Sequence, residues 1–202
     1  MPFTIGKTTL EYFDHPYNNT AVNERRVEIP LAMNFINKTH DSLLEVGCVM
    51  PYYMAISPSV ISYNIIDMFD LHPRCLAIDA RGFNYTNENV LSISTIEHIG
   101  TSDYGATAGD PHSAFDCLNK IIKQAKNYLI TWPVGYNKIL DDDLRMSDID
   151  YIILERTNAA NEWQESNYMR PYDRAELQAY KYSEPFTCGN AIVIITNLED
   201  YK

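Results

Sequence analysis

Seven short, almost continuously apolar runs, separated by longer mixed segments, constrain this 202-residue chain more than any other feature. They are SLLEVGCVM (42–50), YNIID (63–67), CLAID (75–79), VLSISTI (90–96), NYLITWPVG (127–135), DYIILE (150–155) and NAIVIIT (190–196). Each has the length of a strand, and several lack the polar alternation of a one-sided sheet, as strands covered on both faces do. Two of the intervening segments read as helices. ERRVEIPLAMNFINKT (24–39) spaces Val27, Leu31 and Phe35, and Ile29, Met33 and Ile36, near the helical period, with Pro30 early in the segment. HSAFDCLNKIIKQAKNYL (112–129) sets Phe115, Leu118, Ile121, Ile122 and Ala125 on one stripe, which predicts an amphipathic crossover helix. Strand and helix in alternation predict an α/β fold with a doubly wound, mostly parallel seven-stranded sheet. AISPSVIS (55–62) is too short and Pro-broken for a helix, so some helices are expected to be short or missing. The aromatic, polar stretch 157–189 reads as loop plus an irregular helix around 174–180.

Apolar residues make up 46% of the chain and charged residues 21%, which fits one globular domain over 1–202 and excludes disordered, collagenous and coiled-coil classes. Residues 1–22 form an N-terminal extension to it and 157–189 an insertion before the last strand. Sixteen basic against 27 acidic residues give a net charge of -11, and Arg25-Arg26 is the only adjacent basic pair. That balance repels phosphate backbones and anionic lipid, so a small-molecule partner is expected rather than nucleic acid or membrane. The N-terminus lacks the order of a secretory signal, and no apolar run approaches the roughly 20 residues of a membrane helix. Cys48, Cys75, Cys117 and Cys188 form no CxxC pair, which predicts reduced thiols in a cytoplasmic protein. The five histidines show no metal-ligand spacing, and no metal is expected.

Four strand ends carry the candidate chemistry. LLEVGC (43–48) runs from an apolar strand into Glu45 and Gly47, where a glycine lets backbone approach a ligand beyond the strand's carboxyl end; Glu45 either stiffens the turn or accepts a ligand hydrogen bond. Cys48, Val49 and Met50 replace the further glycines of a dinucleotide loop, which disfavours NAD and FAD. Asp67, about 20 residues after Gly47, is placed to bind ribose hydroxyls or to cap its own loop. Asp79 either receives an adenine amino group or pairs with Arg81. VLSISTIEHIG (90–100) brings Ser94, Thr95, Glu97 and His98 to a strand end, with His98 a general base or a structural partner. Neither a G-x-S-x-G elbow nor a phosphate-binding G-x-x-x-x-G-K-[ST] loop occurs, which disfavours hydrolase and kinase readings.

Taken in order, LLEVGC, YNIID, CLAIDARGF, VLSISTIEHIG and NYLITWPVGYN resemble the motifs of class I S-adenosylmethionine (SAM)-dependent methyltransferases, over about residues 23–196. NNTAVNERRVEIP, STIEHIG and WPVGYN together look like a small bacterial-type subfamily. The resemblance implies a Rossmann-like fold whose last strand, NAIVIIT, is antiparallel. It implies SAM as cofactor, with Glu45 and Gly47 beside its methionine and ribose, Asp67 on the ribose hydroxyls and Asp79 near the adenine. Ser94 would lie near the sulfonium, while Glu97 and His98 face the acceptor; Arg25 pairs with the SAM carboxylate or with a neighbour on its own helix. His98, Glu97 or Tyr136 would supply a base for methylation of a hydroxyl or amine on a small molecule. Trp163, Tyr168, Tyr172, Tyr180 and Tyr182, or Tyr17, Tyr52 and Tyr53, would wall the acceptor pocket. The chain departs from the family in a first motif reduced to one glycine and closely followed by Pro51. The alternatives on the same fold are a non-catalytic nucleoside-binding or interaction protein and a SAM-using enzyme of other chemistry.

Overall fold

The computed structural model describes residues 2–39, 42–53, 62–105, 107–166, 177 and 180–201. A hairpin of β1 (Phe3–Ile5) and β2 (Thr8–Leu10) precedes helix α1 (Arg25–Thr39). Then follow β3 (Ser42–Val46), β4 (Ser62–Ile66), β5 (Cys75–Leu76), β6 (Asn89–Ile93), α2 (Ser113–Gln124), β7 (Asn127–Pro133), α3 (Lys138–Met146), β8 (Ile152–Arg156), β9 (Trp163–Glu165) and β10 (Ala191–Thr196). All but the first two strands join one sheet in the order β5-β4-β3-β6-β7-β10-β8-β9.

Each of the seven apolar runs overlaps a strand of this sheet, and both faces of its central strands are covered as their continuous apolarity requires, while β5 at the edge leaves Leu76 exposed. Leu43, Leu91, Ile93, Leu129, Ile192 and Ile194 face α1 and β1, where they meet Val27, Leu31, Phe35, Phe3 and Ile5. The alternate residues Leu44, Val46, Val90, Ile130, Trp132 and Val193 face α2 and α3, through Ala114, Leu118, Ile121, Leu140 and Leu144. Pro30 lies inside α1 rather than at its start, and has no N–H to give the carbonyl four residues earlier. That carbonyl, on Arg26, instead accepts the Phe13 N–H at 3.0 Å, which fastens the N-terminal segment to the helix.

The expected doubly wound, mostly parallel seven-stranded sheet of the methyltransferase type is corrected by this topology. The main sheet has eight strands and is mixed: β3–β4, β4–β5, β3–β6 and β6–β7 are parallel, whereas β7–β10, β10–β8 and β8–β9 are antiparallel, as is the separate β1–β2 pair. Among the described residues there are three α-helices, and α2 alone connects two parallel neighbours of the sheet. The physical reason lies in the connections. Residues 67–74 are too few for a crossover helix and contain Pro73, while 77–88 are punctuated by Asp79, Gly82, Asn84 and Asn87, which favour turns. Three elements went unread in the sequence: the β1–β2 hairpin, β9 within the aromatic insertion, and α3, which Asn137 caps by accepting the Leu140 N–H at 3.1 Å. The segment 55–62 and the helix expected around 174–180 fall almost wholly outside the described residues. Among those that are described, no helix is long and apolar enough to cross a membrane.

The chain leaves β3 toward β4 and β5 on one side and returns to β6 on the other, so the C-terminal end of β3 is a switch point where a crevice opens. Gly47 makes that turn with φ of 88°, and a Cβ there would stand 2.0 Å from Thr95 Oγ1. Gly47→Ala is therefore expected to cost about 2 kcal/mol or more of unfolding free energy, combining a left-handed backbone with overlap. Thr95→Ala in the same chain removes Oγ1 and Cγ2 but leaves its Cβ 2.7 Å away, so it should restore only a fraction of the overlap part, as chemical denaturation of both variants would measure.

Candidate functional site

A cavity of about 440 Å³ occupies this crevice, beyond the C-terminal ends of β3, β4, β5 and β6. Gly47, Asp67, Asp79, Ser94, His98 and Arg25, six of the nine residues singled out from the sequence, line it; Glu45, Glu97 and Tyr136 do not. The separation has a structural cause in each case.

Glu45 lies one residue before the end of β3, and its carboxylate turns back under the loop it precedes. Oε1 accepts the N–H groups of Val49 and Met50, both at 2.8 Å, and Oε2 accepts the Tyr63 hydroxyl. It stiffens the turn rather than reaching a ligand. The remaining N–H groups of the turn are also taken: Gly47 donates to Ile66 O at 2.9 Å and Cys48 to Asp67 Oδ2 at 3.2 Å. Residues 47–50 thus commit all four N–H groups internally, and offer none as a phosphate cradle. Asp67 takes the Phe69 and Asp70 N–H groups on Oδ1, which leaves Oδ2 with one donor and room for another.

Asp79 caps a short turn and pairs with Arg81, whose side chain holds the carboxyl below its ordinary range. Arg25 pairs with Glu28 within α1, yet still borders the cavity. Ser94 donates to both Glu28 oxygens, at 2.8 and 3.0 Å, with its backbone at φ of 36°. Both alternatives left open for Asp79 and Arg25 are compatible with this geometry, since each has an intramolecular partner and a cavity-facing position.

His98 is the best placed titratable group. Its Nδ1 lies 2.8 Å from Asp103 Oδ2, and its ring is held edge-on by Tyr104 and Tyr136, at 5.0 and 4.8 Å between centroids. A carboxylate on Nδ1 makes that nitrogen the donor and leaves Nε2 as the base. Thr101 and Tyr136 donate to the same Asp103 oxygen, at 2.7 and 3.3 Å, so Tyr136 orients the pair from outside the cavity. Hydrogen bonds from His98 and then Thr101 keep Asp103 below the usual carboxylate range. Asp103 went unread because nothing in TSDYG marks it apart from an ordinary turn.

Glu97, by contrast, is buried and does not border the cavity, although its Oε1 lies 3.8 Å from His98 Nε2. It is 1% exposed, and its Oε2 has no hydrogen-bond partner among the described residues. Burial, with Glu28 nearby, pushes its carboxyl well above the ordinary range, which favours the neutral acid. The aromatic residues divide similarly. Tyr17, Tyr52 and Tyr53 line the cavity, with Tyr17 and Tyr52 stacked at 5.1 Å. Trp163 is in the core, Tyr180 donates to Glu155, and Tyr182 packs on Tyr136 at 5.0 Å. Tyr168 and Tyr172 lie outside the described residues. The four cysteines are free, and burial pushes each thiol up, so none is an activated nucleophile. Folding nevertheless gathers Cys48, His72 and Cys75, whose ligand atoms lie within 4.8 Å of one another. No spacing in the sequence announces that cluster.

The buried carboxyls set a pH dependence. Burial raises Glu45 from 4.5 to about 7 and Asp141, which accepts from Trp132 Nε1 and Gly135 N, from 3.8 to about 6. A raised folded-state value means that stability is full below the unfolded value and is lost as pH rises through the folded one. Glu45 alone contributes on the order of 3 kcal/mol across that window. Urea midpoints should therefore fall between about pH 5 and pH 8. Glu97→Gln, isosteric and neutral, should flatten that fall; an unchanged slope would mean that Glu97 is not held as the acid.

Compared with known protein families, curated proteins and solved structures, the chain finds no match in any of the three. The methyltransferase resemblance thus rests on the motifs alone.

Proposed function

We propose that the protein is a SAM-dependent methyltransferase acting on the oxygen or nitrogen of a small-molecule acceptor. The observation that carries this reading is the chemistry of the cavity lining. Asp67, Asp70, Asp79 and Asp103 face Arg25 and Arg81 there, a net negative wall, and Tyr17, Tyr52, Tyr53, Phe69 and Tyr104 add aromatic faces. With the N–H groups of 47–50 already committed, such a wall suits a ligand that is cationic, aromatic and free of phosphate. SAM has a sulfonium cation, an adenine ring and a ribose diol, and the cavity is within the size range of small-ligand sites.

In this reading Asp67 Oδ2 accepts a ribose hydroxyl, and the tyrosine faces cover the adenine. Asp79 lies toward its amino group, and Arg25 meets the amino-acid carboxylate. SAM supplies an activated methyl group, so the chain's own task is to align the acceptor and, for a hydroxyl, to take its proton. Nε2 of His98 takes that proton, while Asp103, itself held by Thr101 and Tyr136, keeps the ring oriented. A cytoplasmic setting fits the four free cysteines.

Calorimetric titration with SAM and with S-adenosylhomocysteine tests the reading. Micromolar binding is expected, weakened at least tenfold in Asp67→Ala. Asp67→Asn keeps an acceptor for the Phe69 and Asp70 N–H groups but not for the Cys48 N–H, so a urea midpoint unchanged from the parent in either variant controls for collapse of the turn. His98→Ala should spare cofactor affinity and lower turnover of SAM to S-adenosylhomocysteine about a hundredfold or more in a screen of hydroxyl and amine acceptors. Absence of binding to either compound would overturn the proposal. Binding without turnover on any acceptor would favour a non-catalytic nucleoside-binding protein.

A further inference from the structure

The Cys48, His72 and Cys75 cluster is independent of the proton relay and of the cofactor assignments. Cys48 follows the glycine turn after β3, while His72 ends the β4–β5 connection three residues before Cys75 opens β5, with the Cys75 N–H on His72 O at 2.9 Å, so two backbone stretches converge. Cys48 is 8% exposed, and the other two are half-buried. Two sulfurs and one imidazole nitrogen within 4.8 Å of one another form a donor set of the soft-to-borderline kind. Tetrahedral zinc, with Zn–S of about 2.3 Å and Zn–N of about 2.0 Å, needs ligand atoms about 3.5 Å apart, a contraction that side-chain rotation supplies. The surroundings favour a cation. Asp70 Oδ1 lies 3.9 Å from the Cys75 sulfur and accepts the His72 N–H at 2.7 Å, and the Tyr52 hydroxyl donates to the same carboxylate. Tyr52 also packs edge-on against the His72 ring at 5.7 Å, which restricts how that ring can turn. Coordination takes both thiol protons, so it replaces the Cys75 S–H donated to Asp70 and the hydrogen bond between the two thiols, and ligation through Nδ1 would also displace the Arg74 N–H from His72, at 3.2 Å.

The geometry assigns Cys48, His72 and Cys75 to a binding site for one zinc-class divalent cation, on the wall of the cavity. Three protein ligands leave a fourth position for water or for an incoming group, since Asp70 is already engaged by Tyr52 and His72. Cys48 and Asp70 both border the cavity, so that position opens toward it. The ion would tie the turn after β3 to the β4–β5 connection, the two segments that frame Asp67.

Cobalt(II) is the probe. The metal-stripped full chain, kept reduced with a phosphine, is titrated with cobalt(II) and followed by visible and near-ultraviolet absorption. One equivalent should develop thiolate-to-cobalt charge-transfer bands that zinc(II) then abolishes. Cys75→Ser and His72→Ala should each weaken cobalt binding at least tenfold, whereas Cys188→Ser, which alters a thiol outside the cluster, should not. His72→Ala changes a loop side chain and keeps the test open if Cys75→Ser fails to fold. No charge-transfer band at stoichiometric cobalt would overturn the assignment, as would bands that persist in both ligand variants. Cofactor titration is not part of this readout, so its failure and that of the methyltransferase reading are separately visible.

Discussion

The Glu28 carboxylate, with no access to solvent, is the interaction on which the arrangement of this crevice depends. An ionised group in such a position is tolerable only when its hydrogen-bonding capacity is met. Glu28 gathers Arg25 from its own helix, Ser94 from the end of β6, and Thr131 from β7, the last at 2.6 Å. Those contacts fix α1 across the parallel part of the sheet and hold Arg25 at the edge of the cavity. They also hold Ser94 in a left-handed conformation that a serine rarely adopts, with its N–H on Thr131 O at 2.9 Å. The neighbouring carboxyls adjust to Glu28. Burial and repulsion from Glu28 push both Glu24 and Glu97 up, and the guanidinium of Arg25 is kept firmly charged by Glu28 and Glu24 against its burial.

How much of this was legible follows from which signals are local. Continuous apolarity in NAIVIIT or DYIILE identifies buried strands because both faces of the sheet are covered. The direction of those strands is not local. β10 is antiparallel to both its neighbours, and β9 adds another reversed pairing at the edge, which no pattern in VLSISTI or YIILE encodes. The antiparallel last strand expected of NAIVIIT is present; the doubly wound, seven-stranded expectation failed at the added edge strand β9 and in the connections, where Pro73 and the turn residues of 77–88 leave no room for helices. α3 was missed because LDDDL looks like a charge run until Asn137, Leu140 and Leu144 are seen as one capped turn against the core.

The candidate site divides in the same way. Gly47, Asp67, Ser94 and His98 reach the cavity because residues just past the ends of parallel strands must face the crevice. Glu45 and Glu97, each beside one of them in sequence, turn into the protein instead, and a shift of one or two residues in a turn is enough to make that difference. Glu45 then becomes useful in another way, since by taking the Val49 and Met50 N–H groups it removes the anion cradle that a glycine-rich loop would present. The acidic character of the whole chain, at -11, is repeated inside, where the carboxylates of Asp67, Asp70, Asp79 and Asp103 line the cavity. Cys48 shows the opposite limit of sequence reading. It meets His72 and Cys75 only after β3, β4 and β5 have aligned, so no spacing rule applied along the chain finds the cluster.

The central claim is that the crevice at the end of β3 receives a cationic nucleoside ligand through Asp67 and the tyrosine faces. A crystal structure of the protein grown with SAM, which carries the sulfonium cation, tests this most directly. The account predicts ligand density in the cavity, with a ribose hydroxyl on Asp67 Oδ2 and the adenine against the Tyr17, Tyr52 or Tyr53 rings. A ligand bound elsewhere on the chain, or one whose phosphate-free end ignores Asp67 and lies against 47–50 with new backbone hydrogen bonds, would contradict it.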